Sequence, residues 1–154
     1  MTRNLEVLLS ELEKYIPVYE RQELDISTSN IGWQIEHSLL TLDRVMEALA
    51  KSNKEEYKWK FSLSRIIIMA TKSIPRGRAK SPKSVRPQSD SHKESLSLHL
   101  KSTRDNLKQL EHLDHGKYFD HPYFGHLKLK QAIRFLEIHT LHHLKIIRDI
   151  KGKN

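Results

Sequence analysis

Residues 135–144 read FLEIHTLHHL, a stretch whose spacing decides the fold that the chain can adopt. On a helix, which turns about 100° per residue, it belongs to one apolar face with two histidines in the middle. His139 and His143 are four residues apart, so their rings project side by side from adjacent turns. A face of this period is the one that a helix buries. Its members are Ala132, Phe135, Leu136, His139, His143, Ile146, Ile147 and Ile150.

Two imidazole rings on a buried face need partners for their nitrogens, because an unsatisfied buried polar group costs free energy. A metal ion bound by neutral imidazole is one such partner. A carboxylate or a backbone carbonyl is the other, and these residues alone leave both possibilities open. His142 lies at the edge of the apolar face, on the side of His139 that is away from His143.

The composition bounds the class of protein. The chain has 154 residues, a formal charge of +8 and no cysteine, which suits a single domain over residues 1–154. Because the chain has no cysteine, any metal site must use histidine or carboxylate ligands. No stretch approaches the roughly 18 apolar residues of a membrane span, and the first residues do not resemble a signal peptide. We expect a cytoplasmic protein with no membrane partner.

Helical periodicity extends over most of the chain. It predicts four long helices, near residues 5–16, 31–51, 91–113 and 132–150, around one core. A shorter apolar pattern over residues 57–70 predicts a buried connecting helix. Residues 71–90 break the pattern with prolines and six cationic side chains, which predicts a long loop. The expected fold class is all-α, a four-helix bundle with one additional short connecting helix.

A third metal ligand has to come from another helix, since metal sites in bundles use side chains on facing helices. His37 is the best candidate because it lies in the middle of the second helix, beside Trp33 and Leu40. It is about 200° from Ile35 on the main apolar stripe, so periodicity does not place it in the same core as His139. A half-exposed histidine is the alternative interpretation. The remaining candidates are weaker: His92, His99, His112, His115, His121 and His126.

Two motifs resemble a known family. Residues 31–40 read IGWQIEHSLL and residues 134–143 read RFLEIHTLHH, and they resemble the second-helix and last-helix motifs of the DinB-like superfamily of four-helix bundles. The similarity extends to residues 74–83 and 121–125, as in a subgroup of uncharacterised bacterial members. It implies a metal triad of His37, His139 and His143. Many members carry a further histidine where this chain has Gln34.

The resemblance also implies a class of chemistry. Three imidazoles with an open fourth position are typical of a catalytic rather than a structural zinc site. Zinc and nickel are the first choices for the metal, and iron or manganese would also fit. Similar proteins include thiol-cofactor transferases and isomerases, so the implied function is a metal-dependent enzyme of the hydrolase or transferase type. Its partner would be a small-molecule substrate or a low-molecular-weight thiol. No general base is identifiable, because Glu36 and Glu137 point about 100° away from the neighbouring ligands.

Two other functions stay open. One is a non-catalytic metal-binding or stress-related helical module. The other, ranked last, is nucleic-acid binding through residues 72–86, which lack the aromatic side chains of a single-strand platform. We expect the basic loop to lie near the mouth of the metal site, where Arg76 and Arg78 could bind an anionic substrate.

The apolar excess in Trp59, Phe61 and residues 66–69 bears on assembly. Proteins that share the family resemblance are often dimers packed through bundle helices. We therefore expect a homodimer.

Overall fold

The computed structural model describes residues 2–77, 81–88 and 91–153, which are mainly helical. Four short 3-10 turns connect the main elements, at Ile16–Val18, Lys54–Glu56, Lys83–Val85 and Lys108–His112. The helices and strands are α1 (Arg3–Glu13), α2 (Ile31–Lys51), α3 (Leu63–Thr71), α4 (Lys93–Leu107), β1 (Tyr118–His121), β2 (Gly125–Lys128) and α5 (Leu129–Gly152).

Helix α2 begins at Ile31, directly after a polar segment that ends in Asn30. The Asn30 side chain accepts a hydrogen bond from the Trp33 backbone N–H at 2.8 Å, which satisfies one of the free donors of the first turn. The predicted apolar stripe of this helix is buried along its length. Its members are Ile31, Ile35, Leu39, Leu42, Met46 and Leu49.

The core lies between α1, α2, α4 and α5. Helix α2 contacts both α4 and α5, and α1 contacts the same two helices from the other side. Helix α4 is buried against this core at Leu96, Leu100, Thr103 and Leu107, and Leu110 in the following 3-10 turn is buried as well. Burial of these side chains supplies the main driving force for folding.

The expectation of an all-α fold is incomplete, because residues 118–128 form an antiparallel hairpin. Tyr118 pairs with Lys128 and His121 pairs with Gly125 across the two strands. Gly125 has a φ of +68°, a left-handed conformation that glycine adopts without steric cost. Each strand is only four residues long, too short to produce a recognisable alternation in the sequence. The hairpin packs against α2 and α5.

The buried helix predicted over residues 57–70 is wrong in its extent and in its burial. Helix α3 begins only at Leu63, where the Ser62 side chain caps it. Ile68 and Met69 pack against the core, but most of the other apolar side chains face solvent. Those that are exposed are Trp59, Phe61, Leu63, Ile66 and Ile67. The segment contacts α5 and the hairpin, and these contacts leave most of its apolar side chains uncovered.

Candidate metal centre

The structure brings the three predicted histidines together. His37 on α2 faces His139 and His143 on α5, and one ring nitrogen from each lies within 4.8 Å of the others. The ring centroids are 5.1 Å apart for His37 and His139, and 4.6 Å apart for the other two pairs. Three nitrogens at this spacing could hold one metal ion.

His37 reaches the site because α2 is buried on more than one face. The side that carries Trp33 and His37 contacts α5 and the 3-10 turn Lys83–Val85. The Nδ1–H of His37 donates a hydrogen bond to the Val85 backbone carbonyl at 2.7 Å, and its ring stacks on Trp33 with centroids 4.9 Å apart. Because the proton of the neutral ring is on Nδ1, the Nε2 atom of His37 has a free lone pair.

His143 is oriented by a side chain on the facing helix. Its Nδ1–H donates to the Gln34 amide oxygen at 2.6 Å. The Gln34 amide nitrogen in turn donates to the Ser27 hydroxyl at 3.1 Å, so both ends of the amide are engaged. His143 therefore also presents Nε2 as a free acceptor, and Gln34 acts as the partner that metal-binding histidines typically have.

His139 differs from the other two because its Nδ1 atom is buried without a hydrogen-bond partner among the residues that the structure describes. A buried polar atom with no partner costs roughly 1–3 kcal/mol. A metal ion coordinated by the cluster would explain why three imidazoles are retained in an apolar core. The donor set of three nitrogens fits zinc, nickel and iron better than calcium or magnesium, which prefer oxygen.

Burial keeps all three rings neutral, the form that binds metal. Desolvation lowers the pKa of His37 below its usual value. It lowers the pKa of His139 and of His143 well below theirs, and the neighbouring histidines lower both further. Because neutral imidazole is the ligand form, no deprotonation cost opposes metal binding at neutral pH.

Neither carboxylate next to a candidate ligand in sequence reaches the cluster. Glu36 accepts a hydrogen bond from His99 on α4, and Glu137 forms an ion pair with Arg134 one turn earlier on α5. The three-histidine cluster is also the only group of potential metal ligands found within residues 2–77, 81–88 and 91–153. A metal there would supply Lewis acidity, which lowers the pKa of a water or thiol ligand.

The other histidines have different roles. His99 bridges two carboxylates between α2 and α4. His121 accepts hydrogen bonds from the backbone of Tyr123 and Phe124 in the hairpin turn, and its ring packs edge-on against Phe135 at 4.6 Å. Burial lowers the pKa of His121 to about 4. His142 contacts the His143 ring at 5.1 Å, yet it is not part of the cluster.

The described part of the basic loop lies beside the cluster. Val85 contributes the carbonyl that binds His37. Arg76 forms an ion pair with Asp149 on α5 at 2.7 Å, and it shares a surface cleft with His142. Arg78, the second predicted substrate-binding residue, lies outside the described residues.

Sequence reasoning missed Gln34 and Val85. Their contacts join positions 109 and 48 residues apart. No local pattern in the sequence reports a pairing of that range.

Fold and site together define a mostly helical protein with a cluster of three histidines that could hold a metal ion. The chain belongs to DUF1569, a family of proteins of unknown function, whose sequence pattern matches residues 35–150. The match includes all three histidines. No curated protein and no solved structure matches the chain. Within the described residues, no helix has both the length and the apolar character to cross a bilayer.

Proposed function

We propose that this protein is a metal-dependent enzyme of the DinB-like type, a four-helix bundle over residues 1–154 with His37, His139 and His143 as metal ligands. One observation carries the proposal: three neutral imidazoles converge in an apolar core, and one of them has a buried nitrogen without a partner. Hydrogen bonds from Nδ1 of His37 and His143 orient both rings with Nε2 free, as in known metal sites.

The proposed reaction class is hydrolysis or the transfer of a thiol cofactor. A site with three nitrogen ligands leaves a coordination position for a water or a low-molecular-weight thiol. Zinc and nickel are the first choices, and iron and manganese follow. Arg76 and Arg78 are the proposed substrate-binding residues, for an anionic small molecule. The cytoplasmic location and the homodimer stay predictions.

A second function, a metal-binding module without turnover, is favoured by one feature of the site. Glu36 and Glu137 are both engaged in interactions away from the cluster, so neither is placed to act as a general base. Chemistry at this centre would depend on the metal and on the substrate's own groups.

Metal analysis tests the proposal directly. We expect the full chain, purified without a histidine tag, to contain close to one divalent ion or to bind one on titration with zinc or nickel. A ligand-bound folded state is stabilised by mass action, so a chelator should lower the melting temperature of the wild type. His139→Ala should lose tight binding and become insensitive to the chelator.

His142→Ala is the matched control, since it removes a neighbouring imidazole from the same helix. It should retain metal affinity within a few-fold of the wild type. A wild type that takes up no metal and melts identically with and without chelator would contradict the proposal. The histidines would then form a hydrogen-bonded network without an ion.

Turnover separates the enzyme from the module. The metal-loaded protein should be screened with small thiols and with simple esters, and His139→Ala serves as the blank. Metal-dependent turnover in the wild type supports the enzyme. One bound ion with no turnover on either substrate set supports the module.

A further inference from the structure

A small cleft opens on the surface beside the candidate metal centre. It has a volume of about 270 Å³ and lies between the chain that leaves α3 and the outer face of α5. Its lining consists of Lys72, Ser73, Ile74, Pro75, Arg76, His142 and Lys145. Three of these seven residues are cationic, and none is acidic.

Two of the three cations in the cleft form no ion pair with a carboxylate of the described residues. Lys72 and Lys145 are exposed, and neither forms an ion pair with a carboxylate within the part of the chain that the structure describes. Arg76 is paired with Asp149, but both side chains are about half exposed, at 45% and 52%. An exposed pair of this kind is worth little free energy, so an incoming anion can compete for the guanidinium.

The surrounding sequence strengthens the positive potential. Residues 57–89 contain nine lysines and arginines and no aspartate or glutamate. The rest of the chain has 18 cationic and 19 acidic side chains, so this one segment accounts for the whole positive charge. Clustered charge of one sign raises the local concentration of an oppositely charged ligand.

The chain that leaves α3 lies against α5 along the cleft. Helix α3 ends at Lys72 in a left-handed conformation with φ of 55°, and its N–H bonds to the Ile68 carbonyl. The Ile74 backbone lies close to the His142 ring, and Arg76 forms its exposed pair with Asp149, so the loop contacts α5 at two points. The cationic side chains of the loop therefore lie on a segment that contacts α5.

The position of the cleft links it to the proposed chemistry. His142 lines the cleft, and its ring lies 5.1 Å from that of His143, a candidate metal ligand. A small molecule that reaches the metal could therefore place another of its groups in the cleft. The two contacts together would orient it.

We propose that this cleft binds an oxyanion group of the substrate, a carboxylate or a phosphate, through Lys72, Arg76 and Lys145. The inference rests on the proposed metal enzyme and deepens it, since it makes the substrate an anionic small molecule held at two points. Charge-assisted hydrogen bonds from three cations are the interactions that such groups form most strongly.

The test titrates inorganic phosphate, and separately acetate, into the full chain while backbone amide shifts are followed by NMR. Both the chelator-treated and the metal-loaded protein are used, because phosphate can also bind a metal directly. We expect saturable shifts at residues 72–76 and 142–145 in both forms. Lys72→Gln combined with Lys145→Gln should weaken phosphate binding by about tenfold, equivalent to about 1.4 kcal/mol.

Lys101→Gln combined with Lys130→Gln is the matched control, because it removes two exposed lysines and the same net charge elsewhere. It should leave phosphate affinity within about twofold of the wild type. Equal weakening in both double variants, or shifts spread over all lysines, would overturn the proposal in favour of unspecific attraction. A short single-stranded oligonucleotide that binds far more tightly than phosphate, with a steep salt dependence, would overturn the small-molecule ligand.

The same experiments separate failure of the cleft from failure of the metal centre. If the protein binds a metal but phosphate produces no shifts at the cleft, the anion site is wrong and the metal proposal stands. If the protein binds no metal but phosphate saturates the cleft, the oxyanion site is confirmed and its role in a metal enzyme is wrong.

Discussion

Gln34 hydrogen-bonds to a candidate metal ligand, and the two ends of its amide contact different partners. The oxygen accepts the Nδ1–H of His143 at 2.6 Å, and the nitrogen donates to Ser27 at 3.1 Å. Both ends of the amide are therefore engaged in hydrogen bonds, which hold the side chain beside His143. With its oxygen towards the ring, the glutamine favours the tautomer of His143 that leaves Nε2 free for a metal.

We expect Gln34→Ala to reduce metal affinity by about 10–100-fold, the usual effect of removing a residue that orients a ligand. Zinc titration against a competing chromophoric chelator measures this change. Gln109→Ala is the matched control, since Gln109 is exposed in the 3-10 turn Lys108–His112, which carries none of the three histidines. An affinity for Gln34→Ala equal to that of the wild type would mean that His143 does not need this partner.

The candidate site was predictable from sequence only in part. His139 and His143 follow from their four-residue spacing on an apolar face. His37 does not follow from periodicity, because it lies off the main stripe of α2, and only the family resemblance singles it out. Gln34 and Val85 act through contacts between distant positions, which depend on how α2, α5 and the loop pack.

At the scale of elements, His99 joins α4 to α2. Its two ring nitrogens contact Glu36 and Asp43 at 2.9 Å each, and Thr103 also donates to Asp43. Hydrogen bonds to these two carboxylates raise the pKa of His99 to about 9. The ring is therefore charged at neutral pH in the folded protein, although it would be mostly neutral in the unfolded chain.

This difference sets the direction of a pH dependence. The folded pKa is the higher one, so the stabilisation is complete below about pH 6.5 and is lost as the pH rises from there through 9. We expect the free energy of unfolding to fall across this window, by at most about 1.4 kcal/mol per pH unit for one proton. Urea unfolding of His99→Gln, with chelator present throughout, should lack this slope. A slope equal to that of the wild type would assign the effect to other groups.

Arg65 connects α3 to the hairpin. Its guanidinium is buried and donates to the backbone carbonyls of Phe124 and Lys60, at 3.1 and 2.7 Å. A lysine has no planar fork and cannot satisfy both carbonyls in the same way. We expect Arg65→Lys to lower the free energy of unfolding by about 1–3 kcal/mol, the cost of a buried acceptor without its donor.

Arg44→Lys serves as the control for this substitution. Arg44 forms an exposed i, i+3 pair with Glu47, and such pairs contribute less than about 1 kcal/mol. Denaturant unfolding of both variants measures the difference. If the two substitutions cost the same, Arg65 does not hold the segment before α3 against the hairpin.

For the whole molecule, helix positions were predictable because long amphipathic patterns specify them, as for α2 and α4. The hairpin and the exposure of α3 were not. Two four-residue strands give too little alternation to detect, and a run such as residues 66–69 has the same composition whether a neighbour covers it or not. Burial of that segment depends on how much of α5 remains available, which is a property of the packed molecule.

Assembly of the whole molecule depends on an exposed apolar surface. It is formed by Trp59, Phe61, Leu63, Ile66 and Ile67. Large exposed apolar patches typically mark interaction surfaces, and the homodimer remains a prediction. A symmetric dimer would bring the same patch from two copies together. It would also bring together Lys58 and Lys60, which alternate with the aromatic residues in a segment that has no acidic side chain.

That combination predicts an unusual salt dependence. Sodium chloride at about 0.01 M gives a Debye length of about 30 Å, and at about 1 M a length of about 3 Å. Screening of the like charges over this range should strengthen the dimer, whereas a dimer held by ion pairs would weaken. The mass measured by light scattering at micromolar concentration should move from 18.1 kDa towards roughly twice that value with added salt.

Phe61→Ser combined with Ile67→Ser should stay monomeric throughout. Leu98→Ser, at an exposed site on α4, should behave like the wild type. A wild type that remains at 18.1 kDa in both conditions would remove the homodimer.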